Sequence, residues 1–129
     1  MWQANDYPIT IAQTKGFENQ ASQIFTPEEL IDFINHLAYN PDEGMVIPGT
    51  GGIRKIRWAA KNKGKSHAAR VIYYFRDLNM PLYLLTIYSK GEKIDLTASE
   101  KKKMERYVDE IVQEHSRRWL RIVDEQLGA

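Results

Sequence analysis

The chain of 129 residues has no cysteine. That excludes a disulfide framework, a thiolate metal site and a cysteine nucleophile, and it fits a reducing compartment. No apolar run approaches the roughly 18 residues of a membrane helix. The opening MWQANDYPIT lacks a basic segment followed by an apolar one, so no secretory signal is expected either. A cytoplasmic protein without membrane contact is the expectation. The most informative absence is local: residues 44–76 contain neither Asp nor Glu. A two-metal nuclease needs clustered carboxylates to hold its ions, so that chemistry is not expected of this segment. The histidines His36, His67 and His115 are far apart and none has metal-ligand spacing. No metal site and no cofactor are expected.

What the same segment does contain is positive charge. Arg54, Lys55, Arg57, Lys61, Lys63, Lys65, Arg70 and Arg76 all fall within it. The overall balance of +1 therefore hides a strong segregation. Up to Ile53 a single base, Lys15, faces seven acids, and from Asp77 onward nine bases meet ten acids. A basic block interleaved with aromatic and β-branched residues creates a positive potential suited to phosphate. A lysine-rich solvated loop beside a strand is the plainer alternative. Strand alternation argues against it, because Lys55 and Arg57 share one face of a strand while Arg54 lies on the other with Ile56 and Trp58.

The remaining pattern predicts one α+β domain over residues 1–129. Residues 7–14 alternate as a first strand, and residues 17–25 form a short helix. Thr26-Pro27-Glu28-Glu29 combines an N-cap, an early proline and a capping-box glutamate. It opens a second helix whose Leu30, Ile31, Phe33, Ile34, Leu37 and Ala38 are expected to form one buried stripe, and it ends at Asn40-Pro41. The glycines at 49, 51 and 52 read as a turn, since they lack the lysine-serine ending and the strand-turn-helix context of a phosphate loop. Strands at 53–59, 68–76 and 82–89 follow with short connections, as an antiparallel meander. The nearly continuous apolar runs of the last two place them centrally. A second capping box, Thr97-Ala98-Ser99-Glu100, opens a long helix to about Leu127, with a helical extension over residues 114–129.

Such a chain suits metal-free phosphate chemistry. The 2′-hydroxyl of RNA can attack its own phosphodiester, so the protein needs to align the strand, neutralise the developing charge and move two protons. Arg57 and Arg70 could grip the phosphate by bidentate hydrogen bonds, with Lys55 as candidate proton acceptor. Arg54, Lys61, Lys63, Lys65 and His67 are candidate RNA contacts. Tyr74, Tyr88 or Trp58 could stack an unpaired base, although core packing is the simpler role for each. His36 and His115 read as structural or solvent-facing.

The run GTGGIRKIRWAAKNKGKSHAARVIYYF, followed by LYLLTIYSKGEKIDLT, resembles the RelE/ParE superfamily of bacterial toxins, and more closely its HigB-type branch. The likeness covers roughly residues 40–112. It implies an antiparallel sheet with N-terminal helices and a C-terminal helix, and a type II toxin that enters the ribosome and cleaves mRNA without a metal. It also implies a cognate helix-turn-helix antitoxin, with operator DNA contacted only through that partner. By position, Lys55 and Arg57 match the family's paired strand cations, and Arg70 its arginine on the next strand. Lys90 falls beside a basic turn that in the family continues with a catalytic arginine, a position held here by Gly91. The family's C-terminal tyrosine aligns with Thr97, a helix cap. Tyr88, Lys90, Lys93 or His67 are the candidates to fill the two vacant roles. Two other functions fit the same sequence, namely gyrase inhibition in the manner of ParE and RNA binding without cleavage.

Overall fold

The computed structural model describes residues 7–60, 67–89 and 95–126, with backbone only at Ala60, His67 and 119–126. The fold is α+β: β1 (Ile11–Gln13), α1 (Lys15–Ile24), α2 (Pro27–Tyr39), β2 (Met45–Val46), β3 (Ile53–Ala60), β4 (His67–Tyr74), β5 (Leu82–Ser89) and α3 (Ala98–Gln126). It forms two compact units, Met1–Leu96 and Thr97–Ala129. Among the described residues no helix is long and apolar enough to cross a membrane.

The first unit is a five-stranded sheet in the order β1-β5-β4-β3-β2. β3, β4 and β5 form the expected antiparallel meander, and β4 and β5 occupy interior positions. Val71 and Ile72, on opposite faces of β4, are both fully buried. Two features depart from the sequence pattern. β1 is shorter than residues 7–14 and joins β5 in parallel, and a two-residue β2 adds an outer edge beside β3.

Local chemistry explains the helix starts. Thr14 ends the strand segment and caps α1, its Oγ1 accepting from Phe17 N at 3.3 Å and donating to Leu84 O at 2.9 Å. The capping box of α2 is complete: Glu29 N donates to Thr26 Oγ1 at 3.2 Å, and Thr26 N donates to Glu29 Oε1 at 2.9 Å. Phe17, Ala21 and Ile24 of α1 and Phe33 and Leu37 of α2 bury one face of the sheet with Ile56, Val71, Tyr73, Leu84 and Ile87. Each fully buried Leu, Ile or Phe there contributes roughly 1.5–3 kcal/mol.

The second unit is α3 with its cap. Thr97 and Glu100 form the reciprocal pair at 2.9 and 3.1 Å, so Thr97 serves as the helix cap its sequence context suggests. At 1.5 Å per residue, its 29 residues span roughly 43 Å. Arg118 pairs with Glu114 one turn back at 3.1 Å.

Candidate phosphate-binding row

Alternation along β3 separates its three cations. Arg57 lies directly opposite Arg70 on β4, and Arg70 lies directly opposite Tyr88 on β5. Residues paired in this way project from the same face of a sheet, so the three form a row across three strands. Lys55 is two residues from Arg57 and shares that face, opposite Ile72. Arg57 is exposed and Arg70 half-buried. Among the described residues neither arginine has an ion-pair partner, and Nη1 of Arg70 is buried with no hydrogen-bond partner. Like charges directly opposite each other on a sheet are destabilising, so this pairing opposes rather than supports the β3–β4 register.

Arg54 does not join the row. Its Nη1 donates to Gly44 O at 2.6 Å and to Asp42 O at 3.0 Å, which ties the loop before β2 to β3. Tyr73 anchors the same loop from β4. Its hydroxyl donates to Pro41 O at 2.9 Å and accepts from Gly44 N at 2.8 Å. A Cβ at position 44 would stand 2.6 Å from that oxygen, so glycine is required there. Burial pushes the Tyr73 phenol up from 10.0 to about 12, against a smaller opposing effect of the hydrogen bond from Gly44. The next turn is held by Thr50, whose Oγ1 donates to Ile47 O at 2.6 Å and accepts from Ile53 N at 3.2 Å. Around it Gly49 and Gly51 take φ of 75° and 73°, a left-handed conformation that favours glycine. It is an ordered hairpin turn.

The other candidates fall in different places. Lys61, Lys63, Lys65, Lys90 and Lys93 lie outside the described residues, and of His67 only the backbone is described, opposite Ala60 at the start of β4. The aromatic candidates for base stacking are packed instead. Tyr74 and Tyr88 are 7% and 5% exposed. Trp58 lies against Phe33 and His36, with ring centroids 5.3 and 5.0 Å away. His36 also meets Glu43, its Nε2 at 2.8 Å from Oε2.

One residue at the row has no counterpart in the sequence reading. The Asp95 carboxylate stands 3.6 Å from Lys55 Nζ, so Lys55 has an opposite charge as neighbour, not only the cations next to it in sequence. Position along the chain gave no signal for this, because the residue arrives from beyond β5. A hollow of about 470 Å³ lined by residues 7–10 and 78–81 contains no charged side chain and shares nothing with the row. Among the described residues no three His, Asp or Glu side chains gather to hold a metal ion. No known protein-family model matches the chain.

Proposed function

We propose that this protein is a ribosome-dependent mRNA endoribonuclease, the toxin of a type II toxin–antitoxin pair. The observation that carries the reading is the register of Arg57 against Arg70, two arginines aligned on one face with no ion-pair partner for either among the described residues. An anion with several acceptor oxygens offsets their repulsion, and a guanidinium fork fits a phosphodiester. Held there, the RNA phosphate undergoes in-line attack by the neighbouring 2′-oxygen. The P–O5′ bond breaks, a 2′,3′-cyclic phosphate remains, and the leaving 5′-oxygen takes up a proton. The arginines stabilise the charge that develops on the non-bridging oxygens. Lys55, in its neutral form, is the candidate acceptor of the 2′-hydroxyl proton, and Tyr88 is the candidate donor at the far end of the row.

A second reading, RNA binding without cleavage, is favoured by two observations: Lys55 is paired with Asp95, and Tyr88 is 5% exposed. Primer extension on translated mRNA after induction separates the two. The nuclease reading expects new 5′ ends within translated codons and fragments ending in 2′,3′-cyclic phosphate. Arrested translation with intact mRNA establishes the binding reading. Loss of DNA synthesis and supercoiling ahead of translation points to gyrase inhibition instead. The partner follows from the same reading: a helix-turn-helix antitoxin that silences the toxin by covering the basic face or blocking its entry to the ribosome.

A further inference from the structure

We infer that Asp95 is a built-in competitor for RNA phosphate at Lys55, and that it sets how strongly the cation row binds RNA away from the ribosome. This rests on the reading of Arg57 and Arg70 as a phosphate grip.

The basic segment has no acid of its own, so any carboxylate among these cations has been brought there by the fold. Among the described residues Asp95 stands against Lys55, at 3.6 Å. Its Oδ1 also accepts Leu96 N–H at 2.8 Å, which anchors the carboxylate to the backbone just before α3. The carboxylate is held, but its grip on lysine is loose. At 3.6 Å the contact exceeds the roughly 2.7–2.9 Å of a tight charge-assisted hydrogen bond, and the two side chains are 36% and 53% exposed. An ion pair of that kind exchanges readily for a better anion.

The row thus has two unequal parts. Arg57 and Arg70 carry no carboxylate partner among the described residues. Lys55 is shared with Asp95, so a phosphate competes with that carboxylate for the ammonium. Backbone phosphate contacts carry no sequence information, and Tyr74 and Tyr88 are buried while Trp58 packs on Phe33. A row of this kind would bind any single strand unless something weakened it. Asp95 supplies that weakening: free RNA gains little from Lys55, whereas mRNA held by other contacts on the ribosome can displace the carboxylate.

The test is binding of the full chain to a short 2′-O-methyl oligouridylate, which lacks the attacking hydroxyl. Fluorescence anisotropy is followed between about 50 and 200 mM NaCl. Asp95→Asn keeps an oxygen for Leu96 N–H and removes the charge. It should tighten binding by about twofold to fivefold, the range of an exposed ion pair. It should also steepen the salt dependence by about 0.7 in the log–log slope, one additional contact to a single strand. Asp95→Ser serves as the second variant should the first fold poorly. In a Lys55→Ala background the gain from Asp95→Asn should vanish. An equal gain in that background means a general charge effect and overturns the proposal, as does unchanged affinity and slope in the Lys55 protein. The Arg57→Ala/Arg70→Ala protein separates the two levels. Its binding at parent strength defeats the phosphate grip itself. Its loss of binding, combined with an unresponsive Asp95→Asn, defeats only the competitor.

Discussion

Arg54 and Arg57 stand three residues apart on one strand and have opposite fates. Arg54 spends its guanidinium on two backbone carbonyls of the 41–44 loop. Arg57 faces another arginine across the sheet. A side chain that binds backbone carbonyls of the protein contributes to stability, even though Nε of Arg54 is buried without a hydrogen-bond partner. One aligned against its own charge costs stability and is available to a ligand. The contrast between the clamp on the loop and the row on the opposite face separates the structural arginine from the candidate functional ones, although composition treats them alike.

The strongest way to break this contrast is to remove one member of the row. Arg70→Ala should lower mRNA cleavage by about 10²–10³-fold, the typical loss for one preorganised donor at a developing oxyanion. Its unfolding free energy should stay within about 0.5 kcal/mol of the parent. Toxicity assays paired with chemical denaturation check both halves; a folded, fully toxic Arg70→Ala protein removes the row from the mechanism. On the clamp side, Tyr73→Phe leaves Pro41 O and Gly44 N–H without their buried partner and should cost about 2–3 kcal/mol. Its residual folded fraction should still cleave.

The same tyrosine predicts a pH dependence. Its phenol titrates near 10 in the unfolded chain and at about 12 when folded. Between those values the folded state retains a proton that the unfolded state has lost, so stability falls as pH rises, by on the order of 2 kcal/mol across the window. Denaturation midpoints from pH 9 upward should show this loss in the parent and a shallower one in Tyr73→Phe. The smallest effect is expected from Arg54→Ala, about 1–2 kcal/mol from two hydrogen bonds donated by a charged group. Cleavage per folded molecule should be unchanged. If Arg54→Ala lost cleavage without losing stability, the division between clamp and row would collapse.

Local features were the most legible. Both capping boxes, Thr26 with Glu29 and Thr97 with Glu100, are set by residues three apart. The span of β5 matched its apolar run at 82–89. Thr14 was harder, because strand propensity and helix capping compete at the same residue, and the cap prevailed. β2 could not be read, since two residues inside a loop carry no periodicity. At the site, period-two alternation was enough to separate Arg54 from Lys55 and Arg57. It also explains why Trp58 is packed, since it shares the face of Ile56, which α1 and α2 cover.

By itself the sequence determined the α+β class, the helix starts, the central apolar strands and the segregation of charge, because each depends on neighbours a few residues apart. Tertiary structure alone decided which distant groups meet. The register of β3 on β4 aligned Arg57 with Arg70, although nothing in either strand names its partner. The fold brought Asp95 to Lys55, and β1 reached β5 as a parallel neighbour across about seventy positions. Such contacts require loop closure and a shared core before they exist, and that cooperative packing leaves no periodic trace along the chain.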